Sequence, residues 1–191
     1  NRYALPDAVV GEIWVDSPSK ACGYFGRAEE TESLLNAQID GGQSDRRYLR
    51  TGDLGLLYDG ELFVTGRRKD LIIVAGRNIA AVDIEEVVRA ASPQVRPGGI
   101  VAIAVPDARS ETETVALVLE SNKSKVDMEA GRLIAEAARH AVLEQLRIPV
   151  STIVVGASGL VPKTTSGKPQ RSACKQALLS GTLAKQSEFR A

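Results

Sequence analysis

The 191-residue sequence has only two cysteines, one histidine, one tryptophan and one methionine, and aromatic residues make up 4% of it. Cys22 and Cys174 lie near opposite ends, without the paired spacing of a metal site or a disulfide framework, so a reducing compartment and a cytoplasmic location are expected. His140 falls on a helical stretch with no partner for triad or zinc chemistry and reads as a solvated helix residue. No apolar run approaches the roughly 20 residues that span a bilayer, and no charged-then-apolar leader opens the chain. A surplus of one charge is lacking too: 24 Lys plus Arg balance 24 Asp plus Glu, so neither nucleic acid nor a membrane surface is an expected partner. The chain opens without Met, inside what reads as an ongoing β segment, as a piece of a longer protein would.

What is present is organised around residues 66–85. A Gly66-Arg67-Arg68-Lys69-Asp70 pivot leads into the apolar run Leu71-Ile72-Ile73-Val74. The run stops at Gly76-Arg77-Asn78, and an Asp83-Ile84-Glu85-Glu86 helix start follows. This reads as a bend, a short buried strand, a glycine turn and a helix, with Gly66 and Gly76 supplying backbone freedom.

Upstream, Val9 to Val15 reads as a strand ended by Ser17-Pro18-Ser19, and Arg27 to Ile39 as a Glu-rich helical stretch. Gly41 to Asp45 is a loop, and Leu54 to Val64 is a hairpin turning at Asp59-Gly60. Downstream, Asp83 caps a helix to about Ala91 that Ser92-Pro93 stops. Gly99 to Val105 and Val115 to Glu120 are strands separated by a polar loop. Asp127 caps a longer helix with Leu133, Ile134, Ala137, Ala138, Ala141 and Val142 on one face, ended by Pro149. Thr152 to Val155 is a further strand, and the loop Gly156 to Lys168 precedes a last helix beginning near Pro169. Strands alternate with helices from residue 70 onward, which argues for a small α+β or α/β domain with one sheet covered by helices.

Three segments can carry chemistry. Asp53, in Arg50-Thr51-Gly52-Asp53, follows a glycine turn at a strand edge; its carboxylate can accept hydrogen bonds from a vicinal diol such as a ribose, or equally bond its own backbone in a turn. Gly66 to Asp70 can hold a phosphate or ribose through a guanidinium, although taken alone it is a solvated charge cluster. Pro162-Lys163-Thr164-Thr165-Ser166-Gly167-Lys168-Pro169 is a small-residue loop whose backbone donors and Lys168 suit a group developing negative charge. A Walker A loop is excluded, since Pro162 and Pro169 stand where that motif needs Gly and Ser or Thr. Lys163 reads as a solvated loop charge.

In order along the chain, Arg50-Thr51-Gly52-Asp53, Gly66-Arg67 with Lys69-Asp70, Gly76, Asp83-Ile84-Glu85 and Ser166-Gly167-Lys168 resemble the successive carboxyl-terminal motifs of the acyl-adenylate-forming superfamily. Val10 to Val15, Gly23-Tyr24 and Glu29-Glu30-Thr31 look like the motif that precedes them, so the resemblance covers nearly the whole chain. Lys69 to Ile73, Gly76-Arg77-Asn78 and Asp83-Ile84-Glu85 look most like the fatty acyl-AMP ligases, which hand acyl groups to carrier proteins rather than to coenzyme A. Ala80 and Ala81 depart from the aromatic and proline usual there, which bears on carrier-protein docking more than on adenylation.

The resemblance implies an α+β fold, in which a small lid domain with a central sheet flanked by helices follows the β-rich end of a larger adenylate-forming domain. Residues 1–67 would end the large domain, 68–69 would be the hinge and 70–191 the mobile lid. It implies that Asp53 binds the ribose hydroxyls of ATP, that Arg67 contacts the same nucleotide and that Lys69 is the hinge residue. Lys168 would be the catalytic lysine on the carboxylate and α-phosphate, and Gly76 would mark the face that admits the phosphopantetheine thiol in acyl transfer. The substrates implied are ATP and a fatty acid, with an acyl carrier protein or polyketide synthase as acceptor and coenzyme A as the alternative. The phosphate loop, the acyl pocket and the group holding Mg2+ would lie upstream of residue 1, so this chain alone would be inert. A non-catalytic docking module is the contrasting reading, and it has no need of Asp53, Lys69 and Lys168 together.

Overall fold

The computed structural model describes residues 2–42, 45–107, 112–183 and 189–190. The chain divides into two compact units, Asn1–Lys69 and Asp70–Ala191.

The first unit is a three-stranded antiparallel sheet in the order β1 (Gly11–Val15), β2 (Leu49–Tyr58), β3 (Glu61–Arg67), with helix α1 (Ala28–Leu35) in the β1–β2 connection. The β2–β3 hairpin turns at Asp59-Gly60, both at positive φ (50° and 77°), the geometry that suits the right-handed twist of its strands. The hairpin is longer than the Leu54–Val64 expectation and takes in both Asp53 and Arg67. Helix α1 stops at Leu35 rather than Ile39, because Ala37 leaves it to exchange backbone hydrogen bonds with Tyr48. Lys20 Nζ then donates to the carbonyls of Leu35 and Arg47, closing the helix's C-terminal end.

The second unit opens with a two-stranded hairpin, β4 (Leu71–Val74) and β5 (Arg77–Ala80), followed by α2 (Ala81–Ala91). The strand at 77–80 is a correction to the turn-then-helix expectation. Ala75 and Gly76 are both left-handed (φ 48° and 75°), a two-residue hairpin turn that an alanine at the first position conceals. Helix α2 begins at Ala81 with no side-chain cap, so Asp83 sits in its first turn, where a carboxylate favours the helix N-terminus, rather than capping it. Ser92 ends the helix.

A four-stranded sheet follows in the order β6 (Val95–Pro106), β7 (Glu113–Ser121), β8 (Val150–Gly156), β9 (Phe189–Arg190), with β7 and β8 parallel and the other pairs antiparallel. The polar loop expected between β6 and β7 lies partly outside the described residues, as does the loop at 41–45. Helix α3 (Met128–Leu146) makes the crossover from β7 to β8. It is capped by Asp127, whose side chain accepts from the Ala130 N–H, and it ends on left-handed Arg147, ahead of Pro149.

Strand β7 is buried on both faces because alternate residues enter different cores. Val115, Leu117 and Leu119 join residues of β6, α2 and α3, including Ile100, Ile84, Val88, Ile134 and Val142. Ala116 and Val118 join Leu160, Val161 and, from α4 (Arg171–Leu179), Cys174 and Leu178. Each fully buried aliphatic side chain is worth about 1.5–3 kcal/mol, so β7 anchors the unit. Leu133 is exposed, a correction to the expected face; Gly131 and Ala135 join Ile134, Ala138, Ala141 and Val142 on the buried side of α3, leaving Leu133 at its edge. Pro169 precedes α4 rather than starting it, because its backbone pairs with Lys163 in a β-bridge. Among the described residues no helix is long and apolar enough to cross a membrane.

Gly99, in the bulged stretch of β6, is where a side chain has no room: a Cβ there would lie 2.7 Å from Glu120 Cβ and 2.8 Å from Arg96 Cγ. Gly99→Ala is expected to destabilise the second unit by about 1–3 kcal/mol, the usual range for overpacking. Urea denaturation followed by far-UV circular dichroism checks it; an unchanged midpoint would mean that β6 shifts at no cost.

Candidate functional site

Between the pairs Glu12↔Leu54 and Trp14↔Arg50, β2 places Thr51, Gly52 and Asp53 opposite the single residue Ile13. Gly52 takes φ 73°, and the Thr51 hydroxyl donates to the Ile13 carbonyl while accepting from the Asp53 N–H. The result is a bulge, a device common beside functional sites because it re-aims a side chain. Here it sets Asp53 opposite Arg67 of β3, with Arg67 Nε donating to Asp53 Oδ1 at 2.7 Å. Among the described residues the Asp53 carboxylate bonds Arg67 and not its own backbone. The pair is a surface one, with the Asp53 side chain 33% and that of Arg67 53% exposed, so it contributes at most about 1 kcal/mol to stability. Among the described residues neither Asp53 Oδ2 nor the two terminal nitrogens of Arg67 has a hydrogen-bond partner.

Behind this pair, Arg50 donates through Nε and Nη2 to Glu12 Oε2 at 3.1 and 2.9 Å, and its guanidinium lies 5.5 Å from the centre of the Trp14 ring. Burial pushes the Glu12 carboxyl up, but hydrogen bonds from Arg50 and Trp14 and the charges of Arg50 and Arg68 outweigh it, leaving the pKa below the usual range. A cavity of about 590 Å³ between the amino-terminal segment and this sheet is lined by Tyr3, Leu5, Trp14 and Leu62 and includes neither Asp53 nor Arg67. Its walls are largely apolar, and we assign it no chemistry.

Arg68, Lys69 and Asp70 form a single 3-10 turn, in which Lys69 is exposed. Gly76 lies at the tip of the β4–β5 hairpin, with open space where a side chain would be.

Lys168 sits on a third tight hairpin. Lys163 and Pro169 pair at its root, the Thr164 N–H donates to the Lys168 carbonyl, the Lys168 N–H donates to the Thr164 hydroxyl, and Gly167 takes φ 79° to turn the chain. The Lys168 ammonium is exposed and has no partner among the described residues. The small-residue loop read from the sequence is thus a hairpin, with the Lys168 side chain exposed.

Two groups that sequence reasoning missed hold this hairpin. Glu120, fully buried on the α4 side of β7, accepts from the Gly159 and Val161 N–H groups through Oε1 and from Lys163 Nζ through Oε2, each at 2.9 Å. Lys163 is accordingly part-buried and paired, a correction to its reading as a solvated charge. Arg171, three residues beyond Lys168, donates Nη1 to Asp70 Oδ2 at 2.8 Å, Nη2 to Glu85 Oε1 at 2.6 Å and Nε to the Ala102 carbonyl at 3.0 Å. Glu85 also accepts from the Ala102 N–H. The available signals were a lone carboxylate closing an otherwise apolar strand and an arginine opening the last helix. His140 is exposed on α3, Cys22 is exposed and Cys174 buried, and both thiols are free. Among the described residues no group of three or more His, Cys, Asp or Glu could hold a metal ion.

No family model matches the chain. It is 42% identical over 183 residues to the medium-chain fatty acid–[acyl-carrier-protein] ligase JamA of Moorena producens, a match covering 95% of this chain and 30% of that protein. It is 37% identical over 177 residues to the 4-hydroxyphenylalkanoate adenylyltransferase of Mycobacterium tuberculosis, covering 90% of this chain and 28% of that protein. The chain thus spans less than a third of the length of these curated relatives. Among solved structures it resembles a fatty acyl-adenylate ligase from a study of the E. coli and L. pneumophila proteins, with a TM-score of 0.72 and 32% identity over 94% of this chain and 29% of the other.

Desolvation is the largest influence on the Glu120 carboxyl and raises its pKa, but the Val161 and Gly159 N–H groups and the Lys163 ammonium together hold it below the ordinary 4.5. A carboxyl lowered on folding stabilises the fold above its unfolded pKa and loses that contribution as pH falls through the folded value. Between about pH 7 and pH 3 the urea midpoint of the wild type should therefore fall further than that of Glu120→Gln. Parallel curves for the two proteins would show that Glu120 contributes no such linkage.

Proposed function

Since the chain belongs to the acyl-adenylate-forming superfamily, as a carboxyl-terminal portion most like the fatty acyl-AMP ligases, we propose that it works as part of a cytoplasmic ligase that activates a fatty acid with ATP and passes the acyl group to a carrier protein. The observation that carries the reading is that each unit holds charged groups turned to solvent. Asp53 and Arg67 are set side by side by a bulge, and an unpartnered Lys168 stands on a hairpin held at its root.

In the first half-reaction a carboxylate oxygen of the fatty acid attacks the α-phosphorus of ATP, and the bond to the β-phosphate breaks to release pyrophosphate. Asp53 accepts hydrogen bonds from the ribose hydroxyls through its free Oδ2, and Arg67, oriented by Asp53, contacts the nucleotide with its outer nitrogens. Lys168 donates to the oxygens on which charge builds as pyrophosphate leaves; losing such a donor typically costs about 10²–10³ in rate. A torsional change at Lys69 then withdraws Lys168 and brings in the hairpin around Gly76, and the phosphopantetheine thiol attacks the acyl carbon as AMP departs. A lysine on a mobile unit is present for one step and absent for the next, so one cleft accommodates two chemistries. Magnesium is implied by ATP use, and no step here is routed through it. The chain on its own is expected to be inactive.

The test uses the full-length protein with ATP, magnesium and a long-chain fatty acid, with holo acyl carrier protein or coenzyme A as acceptor. Adenylate that persists with coenzyme A and moves to the carrier protein is the expected result; prompt acyl-CoA formation would make the protein a synthetase, and no adenylate with any carboxylate would overturn the reading. Lys168→Ala should lower adenylate formation by about 10²-fold or more while sparing acyl transfer from preformed adenylate. Equal loss in both half-reactions would remove Lys168 from the role given to it.

A further inference from the structure

The tip of the Lys168 hairpin, from Thr164 to Pro169, is exposed. Packing at the tip therefore cannot set where Lys168 points, and its direction must come from the root. On the outgoing side the root is Arg171; on the incoming side it is Lys163, whose ammonium turns inward to Glu120.

Glu120 is unusual for its place. It shares a face of β7 with Ala116 and Val118, and a buried ion pair there is weak evidence of added stability, since desolvating two charges offsets most of their attraction. What an apolar residue could not do is define a geometry. Glu120 takes two backbone N–H groups from the 159–161 turn with one oxygen and the Lys163 ammonium with the other, which fixes both the path and the register of the strand entering the hairpin.

We infer that Lys163 is a positioning residue for Lys168: it contacts no substrate and acts through buried Glu120 to hold the hairpin in the one orientation from which Lys168 reaches the reacting phosphate. This rests on the role given to Lys168 above. It places two lysines five residues apart in different roles, one directed inward to structure and one outward to chemistry.

The experiment compares Lys163→Met, Glu120→Gln, the double variant, Lys163→Arg and Lys168→Ala in the full-length ligase. Adenylate formation, acyl transfer from preformed adenylate and thermal midpoint are measured for each. Glu120→Gln keeps an acceptor for the backbone N–H groups but turns an amide donor toward Lys163. Both single variants should lower the adenylation kcat by about 10-fold, with the KM for ATP within about twofold and acyl transfer unchanged, because a displaced lysine loses the transition state rather than the nucleotide. The double variant should lose no more than either single one, and Lys163→Arg, which can still pair with Glu120, should retain most activity. Additive losses with a raised KM for ATP would mean that Lys163 touches the nucleotide and would overturn the inference. Equal loss in both half-reactions, in step with a lowered midpoint, would overturn it in favour of a merely structural pair. Lys168→Ala separates the two levels: full adenylation in that variant overturns the proposed function and this inference with it. A crippled Lys168→Ala beside an unaffected Lys163→Met overturns the inference alone.

Discussion

Arg171 is the constraint on which the second unit depends. Its planar guanidinium meets the last residue of the 3-10 turn, a carboxylate of α2 and a carbonyl of β6 at once, while its own backbone opens α4. Charge-assisted bonds of this kind are each worth roughly 1.5–3 kcal/mol, and a lysine could not reproduce the fork that makes three of them together. Asp70, Glu85 and Ala102, far apart in sequence, are thereby fixed relative to the segment that carries Lys168.

Glu120 supplies the opposing tether. Between Lys163, tied to Glu120 on the incoming side, and Arg171 on the outgoing one, the Lys168 hairpin is held on both sides of its root while its tip stays in solvent. The groups that hold are buried or part-buried and fully paired, whereas Lys69 and Lys168, and the outer atoms of Asp53 and Arg67, are exposed. On the proposed function such a division is what a moving part needs, a stiff root with its working groups left in solvent.

Much of this organisation was legible in the chain. Asp59-Gly60 marked the first hairpin, Asp127 the start of α3, and the apolar runs the strands of the main sheet, because these signals act within a few residues of the chain. The Ala75-Gly76 hairpin was missed since alanine rarely takes positive φ, and α2 began ahead of Asp83 since the hairpin, not a cap, delivers the chain into it. Leu133 was placed on the wrong side of a helix edge by periodicity alone. Lys163 was misread because a lysine beside threonines and prolines looks solvated until the strand that passes behind it is known.

The sequence by itself determined the family, the alternation of strands and helices, and the order of motifs in which Asp53, Arg67, Lys69 and Lys168 stand. Those are properties of local composition and spacing, which survive without knowledge of what packs on what. Only the tertiary structure decided that Asp53 faces Arg67 across a bulge, that Glu120 lies beneath the 159–163 turn, and that Arg171 reaches Asp70 a hundred and one residues away. Strand register and a bulge set the first of these, whereas the contacts of Glu120 and Arg171 are made because desolvated polar groups must find partners wherever the packing of apolar faces leaves them.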